Sequence, residues 1–185
     1  MINDVRNDAD AKMGKSVEAT REDFATIRAG RANPAMFAKI TADYYGTQTP
    51  LQQLASFTSQ DARTILIQPF DIGAMGAIER AIRDSDLGVN PANDGKVLRC
   101  VFPELTEERR KEFIKLARAK AEDGRVSVRN VRRTAKQALE KLEKDGEVGK
   151  DDVTGAEKRL DATTKTHTDK IDELLKHKEA ELLEV

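Results

Sequence analysis

Apolar side chains return every three or four positions through residues 3 to 28: Val5, Ala9, Met13, Val17, Phe24 and Ile27, with charges between them. That spacing predicts an amphipathic helix. The pattern stops at Gly30, and "GRANPA" supplies a Gly and a Pro that break it. From residue 35 to 103 the texture changes. "KITADYY", "LQQLASFT", "RTILIQPF" and "KVLRCVF" read as short strands, "GAMGAIERAIRD" as a short helix, and "SDLGVNPANDG" as turns. Helical periodicity resumes after Pro103. Thr106 is a good N-cap, Glu107 and Glu108 suit the positive end of a helix dipole, and Arg109 stands where a capping box would have Glu or Gln. Ala117, Ala121, Gly124, Val128, Val131, Ala135, Ala138 and Leu142 then follow at alternating steps of four and three. That is a seam of small residues for close helix packing. Over residues 106 to 144 such a helix would be roughly 58 Å long at 1.5 Å per residue. "KDGEVGKDD" breaks it, and a third long helix follows. Its seam is Val153, Ala156, Leu160, Ile171, Leu174 and Leu182, with Thr164 and His167 making it partly polar.

Each long helix is apolar on one side only, so none can bury its stripe alone. The expected architecture is α+β: a long three-helix bundle of residues 1–30 plus 105–185, with a small β/α/β domain inserted at 31–104. The chain then crosses between domains twice, near 30–31 and 103–105. Two adjacent crossings with little shared core predict a hinge.

Charge adds a contrast. The whole chain carries a net charge of only -1, yet "GRVSVRNVRRTAKQAL" (124–139) holds five cations and no acid. Arg125, Arg129, Arg132 and Lys136 each follow a seam residue by one, so they form their own stripe about 100° round the helix. Arg118 extends it one heptad earlier, and Arg133 sits beside Arg132. A charged stripe is most often a solvated face, but such faces usually alternate sign. Cations over about 16 Å match a polyanion, and the planar guanidinium fork suits phosphate. The rival is intramolecular pairing, because residues 140–185 hold more acids than bases. No helix-turn-helix, zinc spacing or aromatic RNA-binding signature supports base-specific readout.

Other chemistry is sparse. There is no GxxxxGK[ST] loop, hence no sign of nucleotide hydrolysis by this chain. His167 and His177 match no metal spacing. Cys100 reads as a buried small hydrophobe in mid-strand, and Asp84 and Asp86 as a helix stop and turn. One cysteine, no leader-like start and no apolar run of about 18 residues lead to the expectation of a cytoplasmic protein without membrane contact.

Six segments converge on one family. "IRAGRANP" (27–34), "YYGTQTPLQQLAS" (44–56), "SDLGVNP" (85–91), "LTEERRKE" (105–112), "VRNVRR" (128–133) and "KIDELLKHKEAELLEV" at the end together resemble bacterial ribosome recycling factors, in order and over essentially the whole chain. The resemblance implies an L-shaped molecule, a monomer with no cofactor and no enzymatic activity of its own. It implies binding of the large ribosomal subunit and its rRNA, not DNA. Elongation factor G would supply the work through its GTP, splitting the post-termination ribosome into subunits. Residue by residue, it marks Arg132 as the most sensitive RNA contact, with Arg110, Arg129 and Arg133 at neighbouring family positions. Arg125 and Lys136 join them here on geometry. Gly30, Arg31, Pro103 and Glu104 match the family's elbow. Gly14, Gly73, Gly76, Gly124 and Gly155 depart from its pattern and are expected to weaken the helices. The alternatives are a homologue that binds ribosomes without splitting them, and a helical protein-binding adaptor.

Overall fold

In a computed structural model, residues 1–28 and 30–184 are described. They form two compact units. One comprises Met1–Phe24 with Ile114–Ala180; the other comprises Ala25–Phe113 with the C-terminal residues from Glu181.

The first unit is built from all but the ends of three long helices, α1 (Ile2–Thr26), α4 (Glu107–Lys144) and α5 (Lys150–Leu183); the first turns of α4, to Phe113, belong to the second. Their pairing follows from the side chains that meet. Ser16 Oγ lies 2.7 Å from Ser127 Oγ, and a methyl group on Gly124 would run into Thr20, so α1 and α4 are antiparallel. Arg118 pairs with Glu179 and Arg132 with Asp161, so α4 and α5 are antiparallel as well. The hydroxyl of Thr106 accepts the Arg109 N–H at 3.1 Å, giving α4 the expected N-cap.

Ala9, Met13, Val17, Thr20 and Phe24 bury one stripe of α1. Val153, Ala156, Leu160, His167 and Ile171 bury one stripe of α5. On α4 the buried stripe is Ala117, Ala121, Gly124, Val128, Ala135 and Leu139. The predicted seam holds at Ala117, Ala121, Gly124, Val128 and Ala135 but drifts in its later steps: Val131, Ala138 and Leu142 are only half-buried, and Leu139 is buried in place of Ala138. An α-helix turns through 3.6 residues, so a pattern read with a 3.5-residue step falls behind over several turns. His167 is the polar member of the stripe, buried with its Nε2 2.7 Å from Asp10 Oδ1.

The glycine expectation needs correction at two positions. Gly124 is a site of close approach: a Cβ there would collide with Thr20 Oγ1 and lie 3.1 Å from Ile171 Cδ1. Its missing side chain is what lets three helices meet at one level. Gly73 lies in a short 3-10 turn (Ile72–Ala74), where Asp71 caps its N–H at 2.9 Å.

In the second unit a hairpin of β1 (Thr41–Tyr44) and β2 (Thr47–Pro50) precedes a one-turn helix α2 (Leu51–Leu54). A four-stranded antiparallel sheet follows, in the order β3 (Ala55–Ser59), β4 (Thr64–Pro69), β6 (Leu98–Val101), β5 (Ala92–Asn93). Helix α3 (Met75–Arg83) connects β4 to the rest and lies against β1. Strand alternation sets the core. Ile65 and Ile67 of β4 and Leu98 and Cys100 of β6 point inward, whereas Gln68 and Arg99 point out. Phe37, Leu51, Ile78, Ile82 and Phe102 close this core. "LQQLASFT" is not one strand. Leu51 and Leu54 both bury, and residues three apart share a side in a helical turn but not in a strand.

The β1–β2 hairpin closes through two residues, Tyr45 and Gly46, both at positive φ (50° and 83°). This geometry favours Asn-Gly; a tyrosine at its first position is strained, at a cost of about 1 kcal/mol.

Candidate nucleic-acid interface

Helix α4 sets out the basic strip as its periodicity requires, but the strip is not unpaired. Arg118 Nε donates to Glu179 Oε1 at 2.7 Å. Arg125 donates to Asp172 Oδ1 at 2.7 Å and to Glu122 Oε2 at 3.1 Å. Arg129 reaches back two turns to Glu122 Oε1 at 3.1 Å, and Arg132 Nε donates to Asp161 Oδ1 at 2.6 Å. The pairing rival is therefore realised at these four positions. Three of the acids come from α5, whose antiparallel run places a carboxylate beside each second turn of the strip. Among the described residues, Arg133 and Lys136 have no carboxylate within 4 Å.

Arg125, Arg129 and Arg132 line an open groove between α4 and α5, about 620 Å³, with Thr164, Lys165 and Thr168 on its far wall. Burial opposes the Arg125 charge, but the hydrogen bonds to Asp172 and Glu122 outweigh it and raise its pKa above the ordinary guanidinium value. Hydrogen bonds from Arg125 and then Arg129 hold the Glu122 carboxyl below the usual range. The Arg129–Glu122 and Arg132–Asp161 pairs are solvent-exposed, the Arg132 side chain at 39% and Asp161 at 56%, whereas the Arg125 side chain is only 21% exposed. Exposed ion pairs contribute typically 0.2 to about 1 kcal/mol each, so a phosphate can displace the carboxylate at little cost.

The remaining sequence-marked residues lie in the other unit. Arg110 is half-buried in the first turn of α4, and its Nε has no hydrogen-bond partner. Gly30, Arg31, Pro103 and Glu104 are all exposed, and Glu104 pairs with Arg63 at 3.5 Å. A Cβ on Gly30 would meet nothing within 4 Å.

Sequence reasoning passed over Arg28. It is only 6% exposed, its guanidinium carbon lies 5.6 Å from the Phe102 ring centroid, and its Nε and Nη2 are unpartnered. Burial, then the charges of Arg63 and Arg109, lower its pKa. The available signal was its place next to Ile27, where the apolar stripe leaves the helix. Among the described residues no cluster of three or more His, Cys, Asp or Glu could hold a metal ion, and no helix is long and apolar enough to cross a membrane.

A fold of three long helices with a small antiparallel sheet unit, and arginines in a row along one helix, can be compared with known proteins. The family profile described as ribosome recycling factor matches residues 20–183. The ribosome-recycling factor of Nocardioides sp. is 77% identical over 185 residues, covering 100% of both chains. That of Kocuria rhizophila is 64% identical over 183 residues, 99% of each chain. A solution structure of the ribosome recycling factor superposes with a TM-score of 0.76 at 38% identity, covering 100% of this chain and 98% of that one. A second solved structure has a TM-score of 0.66 at 41% identity and full coverage of both chains. It presents Thermus thermophilus ribosome recycling factor and Escherichia coli elongation factor G bound to the E. coli post-termination complex. This chain belongs to the ribosome recycling factor family.

Proposed function

We propose that this protein binds the post-termination ribosome in the cytoplasm and, together with elongation factor G and its GTP, separates the two subunits. The observation that carries this reading is the family match along the whole chain, which includes both compact units and the basic helix. The protein acts as a monomer and performs no bond chemistry itself; the free energy comes from the partner's nucleotide.

Arg125, Arg129, Arg132, Arg133 and Lys136 are the residues we assign to rRNA phosphates of the large subunit, with Arg110 as a further contact. The pairs of the strip support the assignment in a specific way. They hold each guanidinium extended beside an exposed carboxylate, and a phosphate oxygen can replace that carboxylate without the side chain having to be reordered. Residues 1–30 plus 105–185 serve as the ribosome-binding part and 31–104 as the part that the motor moves, with Gly30, Arg31, Pro103 and Glu104 at the elbow. Proline's fixed φ stiffens one of the two connections.

The test is light scattering of post-termination ribosomes mixed with this protein, elongation factor G and GTP. Scattering falls with the wild type and falls at least tenfold more slowly with Arg132→Ala. Tight ribosome binding with no fall, under conditions where an established recycling factor works, would overturn the splitting activity.

A further inference from the structure

The second unit buries one cation whose donors the chain does not meet. Arg28 is only 6% exposed, and its Nε and Nη2 donate to nothing among the described residues. A guanidinium carries several N–H donors and a charge that it does not shed by deprotonation. Burying it without acceptors and without a counter-charge is costly. The Phe102 ring, its centroid 5.6 Å from the guanidinium carbon, attracts the cation but leaves those two donors as they are.

The backbone gathers further positive charge around it. The Phe102 N–H donates to the Arg63 carbonyl at 2.7 Å, and the Ala32 N–H to the Ala62 carbonyl at 2.9 Å. These bonds bring together the segment after α1, the β3–β4 turn and the end of β6. Burial comes first in opposing the Arg28 charge, and the charges of Arg63 and Arg109 come next. Those two arginines have exposed carboxylates of their own: Arg63 Nη1 is 3.5 Å from Glu104 Oε1, and Arg109 Nη1 is 2.7 Å from Glu112 Oε2. Arg28 is the buried member of the three and the one whose donors stay unmet.

The chemistry of the cluster selects its ligand. Water would accept from a donor and leave the Arg28 charge unbalanced. An oxyanion meets both needs, and a tetrahedral one presents several oxygens to several guanidinium groups at once. Burial sets its size. A phosphate held in a nucleic-acid backbone, with sugars on both sides, fits poorly against nitrogens this enclosed; a small free ion does not have that difficulty. We propose that Arg28, with Arg63 and Arg109, forms a binding site in the second unit for a small free oxyanion of the phosphate class. The bound ion ties the segment that enters the unit, at Arg28, to the segment that leaves it, from Phe102 to Arg109. The site is separate from the α4–α5 groove and does not depend on the recycling reading.

The probe is inorganic phosphate, titrated into the full-length protein at constant ionic strength with chloride as the balancing anion. Calorimetry and thermal unfolding read the result. Saturable single-site binding is expected, with an unfolding midpoint that rises by a few degrees at roughly ten times the dissociation constant. Arg28→Met keeps a long side chain and removes the charge. Without phosphate it should match or exceed the wild type in stability, because an uncompensated buried charge is gone, and phosphate should add nothing to it. Arg63→Gln, at a half-exposed position, should keep the fold and weaken phosphate binding about three- to tenfold. Equal rises in wild type and Arg28→Met are a general salt effect and overturn the proposal. So do no rise in the wild type, undiminished binding by Arg63→Gln, or an Arg28→Met variant far less stable than wild type in phosphate-free buffer, which would mean that Arg28 is already compensated. A short oligoribonucleotide titrated in parallel separates the sources of phosphate: Arg28-dependent binding of the oligonucleotide without binding of inorganic phosphate overturns the free-ion site.

Discussion

Arg132 and Asp161 face each other across the α4–α5 groove with Nε and Oδ1 2.6 Å apart. The carboxylate occupies the place a phosphate oxygen would take, so it is a competitor for the arginine as well as its support. Asp161→Asn removes the competitor and leaves the shape. Large-subunit affinity is expected to rise two- to fivefold, the equivalent of an exposed pair worth about 0.5 to 1 kcal/mol. The unfolding midpoint should move by less than a few degrees. Filter binding and thermal denaturation of the same preparation check both. Weaker binding by Asp161→Asn would show that the pair positions Arg132 and that its release is not what binding requires.

Arg133 and Lys136 lack such partners among the described residues, and Arg125 has two. That difference predicts unequal salt dependence. Each phosphate neutralised contributes about 0.7 to 0.9 to the slope of log affinity against log salt. Arg133→Ala and Lys136→Ala should each reduce that slope by close to this amount. Arg125→Gln should reduce it by clearly less, because its charge is already balanced before binding. Titrations of large subunits between low and moderate salt distinguish the three.

The stripe on α4 was legible because it depends only on one helix's period. Its pairing was not, because which acid meets Arg125 or Arg132 depends on how α5 is turned against α4. The acid excess after residue 140 named the pool of partners without naming Asp161 or Asp172. The same division runs through the second unit. β4 and β6 could be read from alternation at Ile65, Ile67, Leu98 and Cys100. β2, "TQTP", has no buried large side chain and owes its existence to register with β1, where Tyr44 faces Thr47. The exposed Tyr45 sat inside a quoted family segment, but nothing in the sequence says that its ring points to water.

Helix glycines are expected to divide by environment. A methyl at Gly124 meets Thr20 and Ile171, both on other helices, whereas one at Gly155 meets nothing within 4 Å. Gly124→Ala forces α1 and α5 apart and should destabilise the protein by about 1 to 3 kcal/mol. Gly155→Ala should stabilise it by up to about 1 kcal/mol through helix propensity alone. Urea denaturation of the two variants should therefore give midpoints on opposite sides of the wild type.

Cys100 supplies a pH signature for the second unit. Its thiol is fully buried on β6, and desolvation pushes its pKa up to about 12 from an ordinary value of 9.0. The folded state holds the proton more tightly than the unfolded one. Its contribution is therefore fully present below pH 9, where the thiol is neutral in both states, and is lost as pH rises from 9 towards 12, where the unfolded chain ionises first. Lysines and tyrosines titrate in the same range, so the informative quantity is the difference from Cys100→Ala. Wild-type stability should decline more steeply than that of the variant above pH 9, by at most about 1.4 kcal/mol per pH unit. The folded thiol should also resist a thiol-specific reagent at pH 8 until denaturant is added. Equal slopes for the two proteins, or rapid labelling of the native chain, would mean that water reaches β6 and that the sheet unit opens far more readily than its packing implies.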